Sequence, residues 1–206
     1  MYRKTVIEIF SNVWPMLVIV VMIAITTRLA YVFLKKERRE NFVLYKDLLM
    51  LSFMIYVICL FYVVTFQDVS WSTSNFIPFR EMFRYEAFSF AFFKNIIGNM
   101  IMFLPYGFYV SYFLKLRSSK VMLFLSFIIS ITIETTQLII GRVFDVDDIL
   151  LNMIGAMLGF GVYNMLSMIE SHLPNFLKKA WVYNIIIVVV FLLGTFLIAQ
   201  ILLQGE

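Results

Sequence analysis

An all-α fold, a polytopic transmembrane helical bundle of about six spans, is what this 206-residue sequence predicts. Three observations carry the prediction. Hydrophobic residues make up 62% of the chain and charged residues only 15%, more apolar surface than a water-soluble domain of this length needs. The apolar residues fall into runs of about 20, which at 1.5 Å per residue cross a hydrocarbon core of about 30 Å. None of the runs alternates with the two-residue period of a barrel strand, so in lipid their backbone groups can be paired only as helix. The whole chain, 1–206, reads as a single integral membrane domain with no room for a second, soluble one.

The first run, 13–34, follows a basic Tyr2-Arg3-Lys4, but Glu8 intervenes, the run is long and no small-residue cleavage site follows. It reads as a retained span rather than a signal peptide. Arg28 lies about 9 Å from its inner end, within snorkelling reach of the interface. The second run, 47–66, holds Cys59, and a lone cysteine in an apolar run makes neither a disulfide framework nor a cysteine metal site. The third, 95–114, opens with Asn95 and Asn99 and contains Pro105 and Gly107, residues that kink or adjust a helix. The fourth, 121–140, carries Glu134 and Gln137; the fifth, 149–169, carries Asn152, Gly155 and Gly159; the sixth is 184–203.

The connections orient these spans. Lys35, Lys36, Arg38, Arg39 and Lys46, then Lys115, Arg117 and Lys120, then Lys178 and Lys179 fall on one side; Arg3, Lys4, Arg80, Arg84, Lys94 and Arg142 fall on the other. The richer side is expected in the cytoplasm, which places both termini and the turn 141–148 outside. Loop cations have this topological use, and without a basic, aromatic-interleaved cluster the net charge of +4 does not indicate nucleic acid.

Polar residues then gather at the outer ends of three helices. Glu134 is roughly 9 Å below the outer end of the fourth span. Gln137 shares its face at i+3. Asp148, Asn152, Gly155 and Gly159 follow i, i+4, i+7, i+11 and form one stripe, and Asn95 and Asn99 are an i, i+4 pair. Each has a plain alternative. Asp148 can be the N-cap of the fifth helix. Gly155 and Gly159 make the GxxxG of a close helix contact. The asparagines can bond between helices. Glu134 is harder to set aside, because a carboxylate in a membrane helix costs about 2.5–3.5 kcal/mol and faces a partner or a wet cavity. A structural pair with Arg142 and a functional pocket both satisfy that demand. Outside, the segment SNFIPFREMFRYEAF is rich in interfacial aromatics, with Asn75 and Pro78 as turn residues, and reads as a lid or interfacial helix from which Arg80 can lean over the pocket.

The segments NFIPF (75–79), NIIGNMIMFLPYG (95–107), IETTQ (133–137) and GRVFDVDDILLNMIGAMLG (141–159) resemble the VanZ-like family, named for a protein associated with resistance to the glycopeptide teicoplanin. The matching positions are Asn75, Pro78, Phe79, Asn95, Asn99, Phe103, Pro105, Gly107, Glu134, Gln137, Arg142, Asp145, Asp148, Asn152, Gly155 and Gly159. Asp147 stands outside the pattern as an extra acid. The resemblance covers 75–159 and implies a multi-pass protein of the bacterial cytoplasmic membrane with a role in glycopeptide or lipoglycopeptide tolerance. It implies no cofactor and no agreed mechanism.

Three functions fit these residues. In the first, an outward pocket binds the headgroup of a lipid-linked wall precursor or a lipoglycopeptide. Glu134, Asp145 and Asp148 accept from cationic or hydroxyl donors, Arg80 and Arg142 take phosphate or carboxylate, and Asn95, Asn99, Gln137 and Asn152 set orientation. In the second, an enzyme acts on a lipid-linked envelope substrate with Glu134 as base, Asp145, Asp147 and Asp148 holding a divalent ion. The only histidine, His172, falls on the other side, and there is no HExxH or GxSxG. In the third, the chain is an envelope scaffold or transporter, although it shows no internal repeat. The first is the expectation carried forward, with no metal assigned.

Overall fold

The computed structural model describes residues 44–66, 74–80, 82–84, 86, 89 and 92–203. These form five α-helices: α1 (Leu44–Phe66), α2 (Gly98–Leu114), α3 (Ser119–Ile139), α4 (Val146–His172) and α5 (Ala180–Leu203). The fold is all-helical. Among the described residues the β-type pairing is an isolated parallel bridge between Asn75 and Asp145. Among the described residues four stretches are long and apolar enough to cross a membrane: Leu44–Val64, Asn95–Leu114, Ser119–Ile139 and Val146–His172. A shorter apolar stretch, Ala180–Phe196, belongs to α5. The expected first span, 13–34, lies outside the described residues.

The chain divides into two compact units, Met1–Val63 with Leu173–Glu206, and Val64–His172. In the first, the side-chain oxygen of Asn184 accepts the backbone amide of Tyr45 at 2.9 Å. That amide lies in the first turn of α1, where no intrahelical acceptor is available. The rings of Tyr45 and Tyr183 meet at 5.3 Å.

The second unit holds α2, α3 and α4. Lys115 takes a left-handed backbone (φ 50°) and ends α2, after which a short connection starts α3. A tight turn through Gly141, φ 85°, joins α3 to α4. The three helices therefore alternate in direction, and the N-terminus of α2, the C-terminus of α3 and the N-terminus of α4 share one end.

Glycines set the spacing of α2 and α4. A Cβ at Gly107 would stand 1.9 Å from the carbonyl oxygen of Ala156; at Gly155, 2.2 Å from that of Met100; at Gly159, 2.0 Å from that of Leu104. At all three positions a side chain is excluded by the partner's backbone, which gives the close approach that membrane helices obtain from small residues. Pro105 sits inside α2 and deprives one upstream carbonyl of its helical donor, which membrane helices tolerate when neighbours pack around the break.

Helix α3 meets the others along a stripe spaced by four residues: Met122, Ser126, Ser130 and Glu134 are all buried. Its remaining faces expose Leu123, Phe124, Phe127, Ile128, Ile131, Leu138 and Ile139. A buried stripe of small and polar groups with aliphatic residues outside reverses the pattern of a soluble helix and suits a helix with lipid around it.

Candidate functional site

The shared end of α2, α3 and α4 carries Asn99, Glu134, Gln137, Asp145, Asp147 and Asp148. Residues 74–76 run beside 144–146: the Asn75 amide donates to the Phe144 carbonyl (2.8 Å) and the Val146 amide to the Asn75 carbonyl (3.0 Å). Helix α4 starts at Val146, and its cap is Asp145, whose Oδ1 accepts the Asp147 amide at 2.8 Å. This satisfies one of the amides that a helix start leaves without a partner. The same oxygen accepts Asn75 Nδ2 at 2.9 Å. Asp148, read from the sequence as a possible cap, instead takes the side-chain amide of Asn99 on α2.

Glu134 is 2% exposed, and its Oε2 accepts the Asp145 amide at 3.0 Å. The guanidinium of Arg142 does not close on it. Its Nη1 donates to the Val64 carbonyl, and Gln137 Nε2 donates to the same oxygen at 3.4 Å. Val64 lies in the last turn of α1, where a carbonyl has no intrahelical donor. Arg142 and Glu134 act on each other through space, with Asp145 and Asp148 also in electrostatic range of Glu134.

One turn further along α4, Asn152 donates Nδ2 to Ser130 Oγ on α3 at 2.9 Å. Its Oδ1 is buried with no hydrogen-bond partner among the described residues. Asn95 is half-buried in the π-helical turn Phe93–Ile97 that precedes α2. The wider pitch changes the register between Asn95 and Asn99 from the simple i, i+4 of a regular helix, and such turns are frequent at functional sites. Arg80 lies on the segment above, with its side chain exposed.

The structure thus brings Glu134, Asp145, Asp148 and Asn99 to the shared end of the three helices, with Asn152 one turn further along α4 on Ser130, and sets Arg142 and Gln137 together on a neighbouring carbonyl. It leaves Arg80 at the surface. Among the described residues no group of three or more His, Cys, Asp and Glu side chains is arranged to hold a metal ion.

A family model described as VanZ/LLP1 matches residues 53–170. The chain belongs to the VanZ/LLP1 family. No curated protein and no solved structure matches it. The matched region takes in the end of α1 and almost all of the second unit, so the polar end of α2–α4 lies within the VanZ/LLP1 region. Embedding in a bilayer as a multi-pass protein follows from that membership together with the four long apolar helices.

Two features of this VanZ/LLP1 site escape sequence reasoning. The first is Asp147. It is 1% exposed, and its two oxygens accept the amides of Phe79 and Met82, the first at 2.5 Å and the second at 3.1 Å. It binds the segment after Asn75 to the first turn of α4, where the helix dipole also favours a carboxylate. No local pattern announces this, because the partners lie 65 and 68 residues away. The second is Ser130, the partner of Asn152. The four-residue spacing of Met122, Ser126, Ser130 and Glu134 is the signal that could have found it.

Proposed function

We propose that this membrane protein recognises a polar headgroup of the cell envelope, a lipid-linked wall precursor or a lipoglycopeptide, at the shared polar end of α2, α3 and α4, and that this recognition gives tolerance to teicoplanin-type glycopeptides. In this reading the whole chain is one membrane domain of about six spans in the bacterial cytoplasmic membrane, and the excess of basic residues in the other set of connections supports an outward-facing site. Glu134, Asp145 and Asp148 supply acceptors for cationic or hydroxyl donors. Arg142 supplies donors beyond the one given to Val64. Asn95, Asn99, Gln137 and Asn152 fix orientation.

The observation that carries the reading is Asn152. Among the described residues its side-chain oxygen has no donor, a buried amide oxygen left so costs about 1–3 kcal/mol, and one turn from Asp148 it marks a place where a donor from outside would be stabilising. Pro105, Gly107, Gly155 and Gly159 serve the site indirectly, by bringing α2 and α4 together.

The test is protection of a teicoplanin-sensitive bacterium expressing the chain. Glu134→Gln keeps an oxygen for the Asp145 amide and removes the charge, so it separates function from fold. Both Glu134→Gln and Arg142→Ala are expected to abolish protection while the protein still reaches the membrane. Normal protection in both variants rejects the site.

A further inference from the structure

The segment over the polar end has a strained backbone. Ile77 to Arg80 form a turn, with the Arg80 amide directed at the Ile77 carbonyl at 3.4 Å. Pro78 takes the second position and Phe79 the third, with φ 68°. That is the pattern of a type II turn, whose third position is ordinarily glycine because a side chain there crowds the backbone. A phenylalanine persists there only because its surroundings over-determine it. The Asp147 carboxylate holds the amides of Phe79 and Met82, and Asn75 Oδ1 holds the amide of Ile77 at 3.1 Å.

This rigid mounting does not serve to bury the segment's apolar groups. Phe76, Ile77, Phe79 and Phe83 are all exposed, from 52% for Phe79 to 85% for Phe83. Arg80, also exposed, stands among them. Their mounting point, Asp147, is in the first turn of a membrane-crossing helix. The same end of the unit carries exposed Leu138, Ile139 and Ile140 at the close of α3. Fixed aromatics at the mouth of a helical bundle match the boundary of acyl chains and headgroups, and a guanidinium beside them matches lipid phosphate.

We propose that the turn at 76–80, with Phe83, is a preset wedge in the membrane interface. Phe76, Ile77, Phe79 and Phe83 enter the acyl–headgroup boundary of the bilayer that holds the chain, and Arg80 takes a lipid phosphate. The occupant is lipid, and the wedge operates whatever the polar end below it binds.

Fluorescence of the full chain in phosphatidylglycerol–phosphatidylethanolamine vesicles tests this. Trp14, Trp71 and Trp181 are changed to Phe, and Phe83→Trp supplies the reporter. Blue-shifted emission is expected, with most of it lost when the lipids carry bromine near the headgroup end of their acyl chains, and little loss to aqueous iodide. Quenching by iodide with indifference to brominated lipid would put the turn in water. Protection from both quenchers would mean that protein covers it. Either result overturns the wedge. If the Phe83→Trp protein is not recovered folded, Ile77→Trp reports on the same turn. Adding Arg80→Glu sets a carboxylate against the phosphates and should reduce quenching by brominated lipid; equal quenching overturns the phosphate contact.

Discussion

Removing the Asp147 carboxylate should free the surface segment while leaving the three-helix unit standing. Asp147 is buried and accepts two backbone amides, from Phe79 and Met82. Hydrogen bonds to a charged group contribute about 1.5–3 kcal/mol each. The helix-start dipole adds roughly 0.3–1 kcal/mol to a carboxylate in this turn. Water regains the two amides once the segment lifts, so the net local loss for Asp147→Ala is about 2–4 kcal/mol, or roughly 30- to 1,000-fold in the opening equilibrium. Asp147→Asn keeps one acceptor but turns an amide donor towards the other backbone amide, and should lose about half as much. Amide hydrogen exchange of the full chain in detergent reads the change directly. Protection at Phe79 and Met82 should fall by that factor, while the amides of α2 and the middle of α4 keep theirs. Unchanged exchange at Phe79 and Met82 in the alanine variant would refute the anchoring role. A general collapse of protection would instead make Asp147 part of the core fold.

Further outcomes follow from the same geometry. Gly155→Ala places a Cβ where the Met100 carbonyl stands, about 1 Å or more inside ordinary contact, and should destabilise the protein by about 1–3 kcal/mol in a denaturant titration; an unchanged midpoint would mean the two backbones are farther apart than described. Phe79→Gly relieves a left-handed phenylalanine but gains chain freedom when unfolded, so its stability should be equal or higher by up to about 1 kcal/mol. A loss beyond that in thermal unfolding would show the ring to be a packing element. Ser130→Ala takes from the Asn152 side chain its bond to the Ser130 hydroxyl and should cost about 1–3 kcal/mol, measured the same way; a neutral result would mean the pair has another donor or acceptor at hand.

The helices were legible in the sequence because hydropathy alone defines them. The expected runs 47–66, 95–114 and 121–140 fall on α1, on the π turn with α2, and on α3, each within a few residues. Helix α4 starts three residues before its apolar run, 149–169, because Asp145 caps it and its first turn holds Asp147 and Asp148. The spacing of Asp148, Asn152, Gly155 and Gly159 was legible as one stripe. What each member touches was not. Asp148 meets Asn99 on one neighbouring helix and Asn152 meets Ser130 on the other. An i, i+4 pattern gives a face, but partners across the chain depend on the crossing of helices. Arg142 shows the same limit. Sequence proximity suggested Glu134, whereas the guanidinium reaches a carbonyl 78 residues earlier. The backbone of Phe79 was hidden for a local reason, since a left-handed turn position is normally flagged by glycine and here is not.

Where Gly107, Gly155 and Gly159 lie, polypeptide rests directly on polypeptide, with no cushion of side chains whose rotamers could absorb a shift. Helices α2 and α4 must then travel as one post. Helix α3 rests on them through two serine hydroxyls, a methionine and a carboxylate, a softer seam. Should a bound molecule rearrange this unit, the slip would occur along α3, carrying Glu134 past the pair that holds Asn99 and Asp148.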